Sequence, residues 1–327
     1  MDKMRPRKGN LSFLVLIAAI AMLPVLTSNS YVISIMCFVA IYGTLALGMG
    51  VLLEHAGIFS LAHPTWFGLG AYFAGIVAIR GIAPAWAGIL IGAVCVGLIA
   101  YLIGAPLLRL KGYYLTCASF AVLLIFEITF AQFSSITGGH EGLMGIPRLT
   151  IGTIVFRKDI HYYYLSWGLC LACFCFLYNL MNSRIGRAIE SLHDSEVASS
   201  CMGINVARFR LLTFILTAVM ASLAGSVFCF YIRFTMPTIY GFALLLEVLT
   251  MIVIGGGKKL YGPLVGAFIM IWLRELLHGL MRRILPVMTS EVDAIFFGIA
   301  VIVILIFAPH GLSGSLAAFV NKYRRSA

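Results

Sequence analysis

Charge is what this chain has least of. Asp, Glu, Lys and Arg make up 11% of 327 residues, and only 12 are acidic. Soluble domains average about 25% charged and 45–50% apolar residues. Here apolar residues reach 61% and the mean hydropathy is +1.03, which excludes a water-soluble globule. Long polar intervals are missing too. The two longest, near 132–160 and 182–206, are each under about 30 residues, below the size at which a core sustains itself. The chain reads as one all-α membrane domain over 1–327, a polytopic bundle with no separate soluble unit.

Chemistry-bearing motifs are equally scarce. Seven of the eight cysteines (37, 95, 117, 170, 173, 175, 229) fall in apolar runs, where Cys acts as a small hydrophobe. Cys170, Cys173 and Cys175 have no His or carboxylate beside them on that run, so no metal site is expected. "GGGKKL" (255–260) puts Lys259 where a phosphate loop requires Ser or Thr. "GIFSLAH" (57–63) brings Ser60 near His63 without the strained elbow or oriented base that a serine nucleophile needs. No enzyme is expected, and no cofactor in this chain.

Apolar runs long enough to cross a roughly 30 Å hydrocarbon layer are plentiful. Ten candidate spans lie near 11–28, 31–53, 59–80, 83–105, 113–131, 161–181, 209–232, 237–255, 260–281 and 292–308. The basic start, MDKMRPRKGN, resembles a signal peptide's n-region. The run after it is long for a signal and shows no cleavage site, so it reads as a retained first span. With the N-terminus inside, fifteen basic residues fall in inside loops and seven in outside loops; Arg274 lies within a span, completing the 23. That asymmetry expects both termini in the cytoplasm, and it makes the net charge of +11 a topology signal rather than a nucleic-acid one.

"PTWFGLG" (64–70) echoes "PTIYGFA" (237–243), each at the start of an apolar run. Pro suits a first helical turn. Five spans separate the copies, so they run in opposite directions, the signature of a 5+5 inverted repeat. Those starts, with Ser60, His63, Pro64, Thr65, Pro237 and Thr238, are candidates for the translocation path. Glu127 and Glu247 join them, because a charge at mid-bilayer costs roughly 2.5–3.5 kcal/mol and so faces a cavity or partner. On the fourth span Gly88, Gly92, Gly97 and Gly104 suit close helix contacts. In the outside loop 132–160, Thr137, Gly138, Gly139, Glu141 and Gly142 make a candidate gate or docking surface; a flexible connector is the alternative.

The inside interval 182–208 is unusually polar. Ser183 caps a first helix in which Ile185, Ile189 and Leu192 share a face. Ser191 and Asp194 offer caps for a second, about 195–202, that Gly203 can end. So short a helix is marginal alone and needs a groove to dock in.

Here the chain resembles the LivM-type permeases of branched-chain amino acid ABC transporters. The family's R-x-G-R-A, acidic pair, E-x-A and M-G-I-N blocks match Arg184, Gly186, Arg187, Ala188, Asp194, Glu196, Ala198, Met202, Gly203, Ile204 and Asn205. "EHAGIFSLAHPTWFGLGAY", "RLKGYYLTCASFAVLLIF", "TGGHEGLMGIP" and "IVIGGGKKLYGPLVGAFI" resemble further family blocks, over about residues 40 to 310. Pro64, Lys258-Lys259 and Ser199-Ser200-Cys201 depart from them. The resemblance implies an ATP-driven importer in a bacterial inner membrane. Its other parts would be a second, LivH-like permease, two ATPase subunits carrying ATP and Mg, and an extracytoplasmic solute-binding protein. It also implies that Arg187, Asp194, Glu196, Val197, Ala198, Met202, Gly203 and Ile204 couple to an ATPase. Urea, short amides or other small solutes are alternative cargoes, and an ion-coupled carrier is a further alternative.

Overall fold

The computed structural model describes residues 29–151 and 154–284, with single positions at 24 and 298. The expected spans 11–28 and 292–308 lie outside that range. The long helices are α1 (Ser30–Gly50), α2 (His63–Ile79), α3 (Ala85–Leu107), α4 (Tyr113–Gln132), α6 (Asp159–Met181), α9 (Val206–Ile232), α10 (Phe242–Gly255) and α11 (Gly262–Ile284). Short helices α5 (Ser134–Thr137), α7 (Arg184–Asp194) and α8 (Glu196–Cys201) sit in the loops. Two small antiparallel ladders complete the described part. One pairs β1 (Leu143–Met144) with β4 (Phe234–Thr235), and the other pairs β2 (Thr150–Ile151) with β3 (Ile154–Val155).

Among the described residues, six helical stretches are long and apolar enough to cross a membrane: 30–55, 85–107, 113–132, 159–181, 206–232 and 237–255. Two expected spans fall short of that standard. α2 begins at His63 rather than near 59, which leaves it 17 residues. α11 carries Arg274, Glu275, Arg282 and Arg283. Pro64 stands in the first turn of α2, as expected. Pro237 starts only a 3-10 turn, Pro237–Tyr240, and the α-helix waits until Phe242, after Gly241 takes an extended conformation.

α9 is the longest helix and packs most extensively against α2 and α3, and also against α1. Small residues permit this closeness. A Cβ on Gly225 would collide with the Phe67 carbonyl, and one on Gly104 would stand 2.8 Å from the Phe214 ring. The small stripe of α3 thus makes close helix contacts, as its sequence suggested: Gly88 and Gly92 approach α2, and Gly97 and Gly104 approach α9. Phe67, Phe228 and Tyr240 fill the interior with rings 5.3–6.4 Å apart.

Loop contacts divide the bundle into two ends. At one, His55 Nδ1 lies 3.5 Å from Glu190, and Lys111 Nζ lies 3.2 Å from Glu196. This basic end gathers the turns after α1, α3 and α6. At the opposite end the 133–158 loop meets the segment after α9 through the β1–β4 ladder.

Candidate functional site

The polar interval at the basic end folds as two helices held by their own caps. Ser183 Oγ accepts from the Ile185 and Gly186 amides at 3.1 and 3.4 Å, as expected for the start of α7. Ile189 and Leu192 are buried, whereas Ile185 is about half exposed, so the apolar face of α7 is narrower than the sequence pattern suggested.

α8 is capped by Ser195, not by Ser191 or Asp194; Ser195 Oγ accepts from the Ala198 amide at 3.3 Å. Ser191 instead receives Ser199 Oγ at 3.1 Å, and the Asp194 carboxylate points into solvent, 3.8 Å from His193. Gly203 ends the helix as expected, with φ +80°. Its amide donates to Ser200 O at 3.0 Å, and the Ile204 amide donates to Ser199 O at 3.1 Å, the paired bonds of a Schellman motif.

α8 therefore has a fixed inside and outside. Ser199 is buried, and Glu196 turns inward: Oε1 accepts from Arg210 Nη1 at 2.7 Å, and Oε2 lies 3.2 Å from Lys111 Nζ. The Arg210 side chain is 7% exposed. Ala198 and Cys201 are exposed, Val197 is 74% exposed and Met202 83%. Arg187, also exposed, borders a groove with Ala198, Met202 and Ile204. Arg210 and Lys111 were not among the residues read from the sequence as site candidates.

The translocation candidates fall into three places. Ser60, His63, Pro64 and Thr65 are buried where α2 begins. His63 Nε2 and Thr65 Oγ1 find no hydrogen-bond partner there, and Nε2 faces Gly48 of α1. Glu127 on α4 lies against Gly241, its carboxylate 2.8 Å from where a Cβ would stand, close to buried Pro237 and exposed Thr238. Glu247, in the middle of α10, accepts from Arg274 Nη1 of α11 at 3.1 Å. Glu247 and Arg274, each within an expected span, thus form a matched pair across α10 and α11.

The first part of the 133–158 loop, residues 133–146, is closely built. Thr137 Oγ1 donates toward Phe130 O and Phe133 O at 2.6 and 2.7 Å and accepts from the Gly139 amide at 3.3 Å. Gly138, Gly139 and Gly142 have φ of +75°, +63° and +74°. A Cβ on Gly142 would strike the Thr235 carbonyl. Arg233, the one non-glycine of positive φ among the described residues, donates from Nε to Ile146 O at 3.1 Å. Glu141 is exposed beside this framework.

Residues 31–305 match the profile of a family described as the permease component of the branched-chain amino acid transport system. The chain is 26% identical over 296 residues to the high-affinity branched-chain amino acid transport system permease protein LivM of Escherichia coli, covering 83% of this chain and 67% of that one. It is 23% identical over 281 residues to the probable branched-chain amino acid transport permease protein LivH of Methanocaldococcus jannaschii, covering 83% and 87%. A 33% likeness to the ribose import permease protein RbsC of Escherichia coli covers 28% of this chain and 30% of that one. No solved structure matches. The chain belongs to the branched-chain amino acid transport permease family and is a multi-pass membrane permease subunit.

Proposed function

We propose that this subunit forms half of the translocation pathway of an ATP-driven importer for branched-chain amino acids in a bacterial inner membrane. A second, LivH-like permease, two ATPase subunits and an extracytoplasmic binding protein complete the assembly. In this reading the basic end and both termini are cytoplasmic, and ten spans form a 5+5 inverted repeat. The neighbour pattern supports the repeat: α3 packs on α9 as α11 packs on α1, and α2 packs on α3 as α10 packs on α11. Pro64 and Pro237 also lie toward opposite ends of the bundle.

The observation that carries the proposal is α8, a capped and inwardly fastened helix whose outer face is apolar and uncovered. An ATPase groove is the expected occupant. Closure of the ATPase pair on ATP would move α8 with α9 and bias the bundle between outward- and inward-facing states. Binding-protein docking falls to the opposite end, around Glu141.

The test is leucine uptake into proteoliposomes holding all the subunits. Gly203→Pro removes the amide that closes α8, and Glu196→Arg sets like charges together; both should abolish ATP-driven uptake while membrane insertion stays normal. Normal uptake in both variants would refute the coupling role. Uptake driven by an ion gradient without ATP would refute the importer class.

A further inference from the structure

If the turn between α10 and α11 marks the basic-end membrane surface, Glu247 and Arg274 sit at mid-depth. Gly255 and Gly262 touch backbone to backbone at the basic-end turn, where a Cβ on Gly255 would collide with the Gly262 carbonyl. At 1.5 Å of rise per residue, position 247 lies about 12 Å above that turn and position 274 about 18 Å above it. The middle of a roughly 30 Å hydrocarbon layer falls between them.

The pair is only half used. Arg274 donates one bond, from Nη1 to Glu247 Oε1, and a guanidinium has five N–H donors. The second carboxylate oxygen has no hydrogen-bond partner among the described residues. The arginine side chain is 56% exposed and the glutamate 16%. A guanidinium so uncovered at mid-depth cannot face acyl chains without a heavy penalty, and it is too far from either surface to reach water along the lipid. In the importer reading, this uncovered side faces the passage rather than lipid. Around it the exposed residues are apolar: Phe242, Leu246 and Val253 on α10, and Phe268 on α11. The two halves of the bundle differ at this point. α2 is wedged between α3 and α9, whereas α10 lies against α11 and meets α1 far less.

We propose that Glu247 and Arg274 are the midway binding point of the passage, holding the ammonium and carboxylate of a zwitterionic amino acid in transit. The inference rests on the importer reading and names the residues that would serve it. The incoming ammonium takes the free Glu247 oxygen while the carboxylate takes unused Arg274 donors. Every charge stays paired throughout, which avoids leaving one buried alone. The apolar rim accepts an aliphatic side chain.

The experiment compares wild type, the neutral pair Glu247→Gln with Arg274→Gln, and the swapped pair Glu247→Arg with Arg274→Glu, each in the complete reconstituted transporter. Assembly is read by size exclusion and function by ATP-driven leucine uptake. Both variants should assemble like wild type, and each should lose at least about tenfold in uptake. The swap keeps a bond between the two helices but reverses the field that the zwitterion meets. Wild-type uptake from the swapped pair would overturn the proposal, since the bond would then be only a strut between helices. So would wild-type uptake from the neutral pair, or failure of the neutral pair to assemble. Absence of uptake by wild type would instead sink the importer reading itself.

Discussion

The two ends of α9 are fastened by different physics. At the basic end the fastening is made by side-chain charge: Glu196 holds Arg210 at 2.7 Å and Lys111 at 3.2 Å. At the opposite end it is made mostly by backbone, through the β1–β4 ladder and glycines that leave no room for a Cβ, with one side-chain bond from Arg233 Nε to Ile146 O. A backbone clamp tolerates most side chains and fails at its glycines. A charge clamp tolerates neighbours and fails when one partner is lost. The difference suits the proposed roles: a rigid frame at one end, and at the other a short helix held firmly with its outer face free.

Substitutions at four positions would break or sharpen this contrast. Gly142→Val should do most, since φ +74° and a clash with the Thr235 carbonyl combine strain with overpacking, costing about 2–6 kcal/mol. The variant should fail to accumulate or should melt far below wild type in detergent. Gly145→Val is its control: φ is +73° but nothing lies within 4 Å, so only strain of about 1–3 kcal/mol applies. Equal losses from both would show that close packing at Gly142 adds nothing.

Next comes Arg210→Met, which leaves Glu196 without its buried partner. Because Glu196 is a third exposed, the expected cost is about 1–3 kcal/mol, below that of breaking a fully buried pair. Uptake should fall sharply, Arg210→Lys should restore part of it, and Cys201 on the outer face of α8 should react faster with a thiol reagent. Unchanged Cys201 reactivity would refute the clamp. The smallest effect belongs to Lys111→Ala, since a partner 77% exposed contributes under about 1 kcal/mol, screened by salt. Uptake should change less than twofold, and less still at high ionic strength.

Much of this was legible along the chain because it is local. Ser183 caps α7, Pro64 opens α2 and Gly203 closes α8 through contacts within a few residues. The cap of α8 was misplaced by one residue. Ser195, unlike Asp194, reaches the Ala198 amide three positions on, and Ser191 is engaged by Ser199. Pro237 opens a helical turn as expected, but a proline start says nothing about the glycine four residues later that breaks the α-helix. Arg210 read as one more basic loop residue, since nothing in the sequence marks it as buried.

Membrane residence, the run of apolar helices, the basic asymmetry of the loops and the family all follow from the sequence by itself. Hydropathy, charge placement and short blocks need no third dimension. Tertiary structure decided which way Glu196 faces, which cation meets Glu247 and what closes the 133–158 loop. Those partners lie 14, 27 and 87 residues apart. No local pattern reports such a distance; only the packing of helices that reverse direction brings the groups within reach.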